Sequence, residues 1–219
     1  MKQAIIESRP FLLISLLFGI SYFFLRDSDL PGAYLMLWKG AGVGFIAVYA
    51  FVRLHRIDGK MLGAIMSLGA IGDMVIEINL VAGAAIFLIG HFVAVLFYAR
   101  FRRHKLAFSQ KLFVIILPII VTYIAWTISG NVLAAVYCFF VAAMASMAWS
   151  SRFPRYRVGL GALLFVVSDI LIVGRMGMLE TSALPDLFVW PLYYFGQFLI
   201  ATGVVGTLRH EMASESADI

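Results

Sequence analysis

Eight apolar runs of 16 to 22 residues follow one another along the chain with only short polar breaks, near residues 10–25, 33–52, 60–78, 81–99, 112–129, 132–149, 157–173 and 187–208. A helix needs about 20 mainly apolar residues to cross the hydrocarbon layer of a bilayer. The chain is 63% hydrophobic and 13% charged, whereas a soluble domain is roughly 45–50% apolar and about 25% charged. No water-soluble interior of this size can hide so much apolar surface. The sequence therefore predicts an all-α, polytopic membrane helix bundle of about eight transmembrane helices. A single transmembrane domain would cover 1–210, with 211–219 as a short polar cytoplasmic tail. The run at 10–25 leads into Arg26-Asp27-Ser28-Asp29 and not into a small-residue cleavage site, so it reads as the first span and not as a signal peptide.

The net charge of +5 does not point to nucleic acid, because the cations sit in loops between spans. With the N-terminus inside, the inner segments hold Lys2, Arg9, Arg53, Arg56, Lys60, Arg100, Arg102, Arg103, Lys105, Lys111, Arg152, Arg155, Arg157 and Arg209, which makes 14, while the outer loops hold only Arg26 and Arg175. That asymmetry sets orientation. It predicts a multi-pass protein of a bacterial-type inner membrane with both termini cytoplasmic. The segment 100–111 is basic enough to meet anionic headgroups, although a solvated stop-transfer loop is the preferred reading. Cys138 is the one cysteine, so no intramolecular disulfide forms, and its apolar setting suits a buried inert thiol.

Lys39, Asp73, Glu77, His91 and Asp169 break the loop rule by lying within apolar runs. A charge at mid-span costs about 2.5–3.5 kcal/mol on insertion scales, so such groups face the bundle interior and mark function by default. Asp73, Asp169 and Lys39 should lie roughly 6–9 Å below the outer ends of their helices, at about 1.5 Å per residue. Asp73 and Glu77 are four apart and would share a helix face. Tyr193, Tyr194 and Gln197 come at similar depth.

Two carboxyl groups and a lysine kept from water separate in proton affinity: one acid stays ionised near Lys39, while the other holds its proton nearer neutral pH. Such a pair suits hydrolysis of an acid-labile bond through an oxocarbenium ion, as paired carboxylates do in glycosidases. The competing reading is a structural ion pair with Lys39. A core hydrogen bond would equally explain His91, and an aromatic belt would explain Tyr98, Trp190, Tyr193 and Tyr194. Gly40, Gly44, Gly203 and Gly206 read as close helix contacts.

Gly72-Asp73 in the third run pairs with Ser168-Asp169 in the seventh, and Gly90-His91-Phe92 in the fourth with Gly196-Gln197-Phe198 in the eighth. The offset of four helices describes a parallel 4+4 internal repeat, whose axis along the membrane normal would bring the aspartates toward one site. No HExxH, Cys/His cluster or paired CxxC occurs, so neither a metal nor a cofactor is indicated. No Gly-x-Ser-x-Gly elbow or phosphate-binding loop occurs either.

Several of these stretches resemble the YhhN-type lysoplasmalogenase family. They are Gly69-Ala70-Ile71-Gly72-Asp73, Phe87-Leu88-Ile89-Gly90-His91 with Tyr98, the run from Gly161 to Ser168-Asp169, and Tyr193-Tyr194-Phe195-Gly196-Gln197. Lys39 stands where that family has a Lys-Pro pair, with Gly40 in place of the proline. The resemblance implies hydrolysis of the vinyl-ether bond of lysoplasmalogens to a fatty aldehyde and glycerophosphocholine or glycerophosphoethanolamine. Asp73 and Asp169 would be catalytic, with Lys39, Glu77, His91, Ser168, Tyr193, Tyr194 and Gln197 in supporting roles. The expected partners are the lysophospholipid substrate and membrane lipids. A proton-coupled membrane transporter, or a membrane protein that binds lipid without reaction, would need the same kinds of residue.

Overall fold

The structure is a computed structural model that describes residues 9–217. Lys2, counted among the inner cations, and the last two tail residues lie outside the described part. The described residues form eight α-helices: α1 Arg9–Leu25, α2 Gly32–Arg53, α3 Ile57–Val75, α4 Leu80–Arg100, α5 Phe108–Ser129, α6 Val132–Ser150, α7 Leu160–Gly174 and α8 Leu184–Ala217. A π-helical turn, Arg155–Gly159, leads into α7.

Six segments are long and apolar enough to cross a membrane, namely α2, α4, α5, α6, the π turn with α7, and α8. This is the signature of a multi-pass membrane protein. The other two expected spans stop short of it for different reasons. Helix α1 has 17 residues, and α3 carries Asp58, Lys60 and Asp73 within its 19. Large apolar side chains stand exposed along the helices, among them Leu17, Phe24, Ile119 and Leu133. Water would not tolerate that much apolar surface, and lipid does.

Two tight hairpins, α3–α4 and α5–α6, are fixed by asparagine. Gly130 ends α5 with a φ of 63°, a left-handed conformation that glycine adopts without steric cost. Asn131 then caps α6, its Oδ1 accepting from the backbone N–H of Leu133 at 2.9 Å and of Ala134 at 3.2 Å. Asn79 does the same for α4, accepting from Ala82 N–H at 2.9 Å. These bonds satisfy amide groups that a helix start leaves without an intrahelical acceptor.

Two boundaries differ from expectation. Helix α3 ends at Val75, so Glu77 lies in the following turn and does not share a helix face with Asp73. The backbone N–H of Asn79 bonds to Val75 O at 2.9 Å, and the turn toward the next cap forms there. At the other end of the chain, α8 does not stop at residue 208 but continues through the polar segment to Ala217.

The chain forms two compact units, Met1–Val93 with Val204–Ile219, and Ala94–Gly203. Their boundaries fall inside α4 and α8, not between α4 and α5. In the first unit α2 packs against α1 and α3. Ser15 Oγ donates to Gly42 O at 2.6 Å, and Trp38 Nε1 donates to Ser21 Oγ at 2.9 Å. In the second unit α6 packs against α5 and α7, and α7 meets the apolar part of α8 at a pair of glycines. A Cβ on Gly161 would lie 2.6 Å from Gly196 O, and one on Gly196 would lie 2.7 Å from Gly161 O. Two backbones can approach this closely only where neither bears a side chain. Gly40 similarly admits the Met74 side chain and Gly203 admits Val158, whereas Gly206 has nothing near it.

Candidate active site

A few polar residues are enclosed among apolar helices whose outer faces are apolar as well. Asp73 is 2% exposed, Asp169 3%, His91 4% and Gln197 4%, and Ser168 is fully enclosed. The residues singled out from the sequence divide between the units. Lys39, Asp73, Glu77 and His91 lie in the first, and Ser168, Asp169, Tyr193, Tyr194 and Gln197 in the second.

In the first unit Asp73 sits two residues before the end of α3. Its neighbour Gly72 leaves room for the Phe87 ring of α4, whose atoms would come within 2.8–3.0 Å of a Cβ there. The Phe87 ring stacks in turn on His91, with centroids 6.4 Å apart. The glycine before the aspartate thus lets α4 bring its histidine turn against the α3 end. Lys39 Nζ pairs with Glu77 Oε1 at 2.5 Å and stands 5.8 Å from the centre of the Tyr22 ring. Tyr22 lies within electrostatic range of both Glu77 and Asp73. Glu77 thereby anchors the lysine.

In the second unit Asp169 lies five residues before the end of α7, and Tyr137 of α6 donates to its Oδ2 at 2.9 Å. Tyr193 lies within electrostatic range of Tyr137, and Cys138, also buried, is in range of Asp169. Ser168 Oγ donates to Val189 O at 2.9 Å, which ties α7 to α8 one residue before the aspartate. The Tyr193 ring meets Phe165 edge-on at 5.0 Å, and Tyr194 stacks on Trp190 at 5.7 Å. Tyr98, Trp190, Tyr193 and Tyr194 are all buried. The belt reading fails for them because an interfacial aromatic keeps its polar tip in the headgroup layer. Arg175 does behave as a surface residue and pairs with Asp186 across the α7–α8 turn.

Tyr22 and Tyr137 escaped the sequence reading. Depth could have found Tyr137. It lies six residues into the chain from the Asn131 cap, and Asp169 lies five from the end of the antiparallel α7. Both therefore sit at about 8–9 Å from the same end of neighbouring helices.

Chemically, each unit offers one enclosed carboxyl group with a tyrosine beside it, and the first adds a lysine. Comparison with known proteins agrees with the motifs. A family model described as the YhhN family matches residues 34–204, a span that takes in every residue of the candidate site except Tyr22. No curated protein and no solved structure matches the chain significantly.

Proposed function

Since the chain belongs to the YhhN family, we propose that it is a membrane-embedded hydrolase that cleaves the vinyl-ether bond of lysoplasmalogens. The observation that carries this reading is the enclosure of two carboxyl groups, Asp73 and Asp169, in apolar helices. Intramembrane acids are costly and are kept for function.

The chemistry asks for an acid and a base. A proton added to the β carbon of the enol ether gives an oxocarbenium ion. Water adds to that ion and loses a proton, and the resulting hemiacetal collapses to a fatty aldehyde and the glycerol hydroxyl of glycerophosphocholine or glycerophosphoethanolamine. One aspartate delivers the first proton and the other takes the proton from water. Lys39 and His91, with Ser168, Tyr193, Tyr194 and Gln197, hold these groups or the lipid headgroup in place. A single-chain lipid that already partitions into the bilayer suits a site inside the helices.

The same reading carries a topology of eight crossings, arranged as a parallel 4+4 repeat, with both termini on the cytoplasmic side of a bacterial-type inner membrane. It is supported by the split of 14 basic residues against 2 between alternate loops.

The test is purified protein in detergent with a vinyl-ether lysophospholipid and detection of free aldehyde. The wild type releases aldehyde, and D73N and D169N each lose at least about 10²-fold. A transporter would form no aldehyde, and a lipid-binding protein would return the lipid intact. Full aldehyde release by both variants overturns the assignment.

A further inference from the structure

Two basic loops of the second unit are joined in a way that the proposed reaction does not use. Arg102 and Ser151 form an antiparallel bridge between the α4–α5 loop and the segment after α6. Arg152 N–H bonds to Phe101 O at 2.8 Å and Arg103 N–H to Ser150 O at 3.4 Å. Beneath them Phe153 is fully enclosed and packs on Phe97, Tyr98 and Phe101 at 5.0–6.2 Å between ring centres.

On this junction sit two arginines with an unusual arrangement of partners. Among the described residues Arg103 is held by main-chain carbonyls, its Nε donating to Ser151 O at 2.8 Å and its Nη2 to Phe153 O at 3.4 Å. Arg155 opens the π-helical turn, and its Nε is enclosed with no hydrogen-bond partner among the described residues. The burial of Arg103 and the positive charge of Arg155 both hold the Arg103 guanidinium below its ordinary value. Arg155 is thus a charged neighbour of Arg103, and Phe153, whose carbonyl takes the Arg103 Nη2 bond, lies two residues before Arg155. The stretch from residue 78 to 168 contains no aspartate or glutamate, so neither loop supplies a counter-ion. Half-buried like charges are unfavourable unless an anion joins them. Guanidinium groups with N–H bonds left over match the oxygens of a phosphate. Tyr156 next to Arg155 is 84% exposed, as an aromatic at headgroup level would be.

We propose that Arg103 and Arg155 form a binding site for a phosphate group, carried by the headgroup of an anionic phospholipid or supplied as free phosphate. On the topology given above, the site faces the cytoplasmic leaflet, where basic pockets at helix ends take anionic headgroups.

The experiment uses the full chain in neutral detergent and native mass spectrometry with phosphatidylglycerol or phosphatidylcholine. The wild type retains phosphatidylglycerol, and R103Q/R155Q weakens that retention about tenfold or more. K105Q/R157Q, which removes two exposed cations from the same loops, leaves it within about twofold. R155Q alone breaks no internal hydrogen bond of Nε, so it serves where the double variant fails to fold. In a second arm, delipidated protein is melted in sodium phosphate or in sodium chloride of equal ionic strength. A rise specific to phosphate and absent from R155Q, without preference for phosphatidylglycerol, assigns the site to free phosphate. A lipid preference lost in R155Q assigns it to the headgroup. If R155Q matches the wild type in both arms, or K105Q/R157Q loses as much as R103Q/R155Q, the site does not exist and the loops act only as diffuse charge.

Discussion

The phenol of Tyr137 on α6 donates a hydrogen bond to Oδ2 of Asp169 on α7 at 2.9 Å. Asp169 is buried and Tyr137 half-buried, so water competes weakly with the bond. A bond to a charged acceptor is worth about 1.5–3 kcal/mol. Tyr137→Phe keeps the ring and removes the donor. Under the proposed reaction it lowers kcat by roughly 10- to 100-fold, changes KM less, and displaces the pH profile. A variant that loses only melting temperature, with kcat and the pH profile unchanged, would make Tyr137 a packing residue.

Gly161 and Gly196 face each other across α7 and α8 so closely that a Cβ on either meets the other's carbonyl oxygen at 2.6 or 2.7 Å. Backbone cannot yield as a flexible side chain does, so Gly161→Ala or Gly196→Ala forces the helices apart. The expected cost is about 1–3 kcal/mol, seen as a lower melting temperature, with loss of aldehyde release because Asp169 and Gln197 lie on these helices. Gly206→Ala is the control. Nothing lies within 4 Å of its added carbon, and in a helix the change is favourable by roughly 0.5–1 kcal/mol. Equal melting temperatures for all three variants would remove the close-contact reading.

Length and charge made most of this fold legible. Seven of the eight helices begin and end within about four residues of their apolar runs, and α8 overruns its run by nine, because an apolar run of about 20 residues marks a helix suited to a bilayer but says nothing of a polar extension. The asparagine caps at Asn79 and Asn131 act locally and could be read locally. Asp73, His91, Asp169 and Gln197 were legible as enclosed residues, since a charged or amide group in mid-run is driven inward, whereas Glu77 stays 43% exposed. What could not be read was partner choice. Lys39 pairs with Glu77 because the early end of α3 frees Glu77 from the helix, and no periodicity announces that end. Tyr137 was missed for another reason: tyrosine in a membrane helix is common at interfaces, and only the depth match with Asp169 separates a partner from a belt residue.

The Lys39–Glu77 pair is asymmetric, with side chains 15% and 43% exposed. A partner that open is screened, so Glu77→Gln should cost less than about 1 kcal/mol of stability. Lys39→Met also removes the cation over the Tyr22 ring and takes positive charge from the surroundings of Asp73. Turnover therefore falls further in K39M than in E77Q. Steady-state aldehyde release by the two variants decides this. Equal losses would make the lysine a structural partner of Glu77 and nothing more.

Arg56, between α2 and α3, and Glu215, on the polar extension of α8 beyond the apolar stretch, form an exposed ion pair with Nη2 and Oε2 2.6 Å apart. The hydrogen bond from Arg56, and then its charge, hold the Glu215 carboxyl below the usual range. A carboxyl whose value is lowered by folding stabilises the folded form above the ordinary carboxylate value, about 4.3. That contribution disappears as pH falls through the lowered value. Exposure also leaves the pair open to screening by salt. The helical 13Cα shifts of residues 210–217 should therefore persist at pH 7 in dilute buffer and decline below about pH 4 or in about 1 M salt. R56Q should show the same decline at pH 7, while the melting temperature of the membrane part stays unchanged. If R56Q keeps full helical shifts to residue 217 at pH 7, the extension is held by something other than this pair.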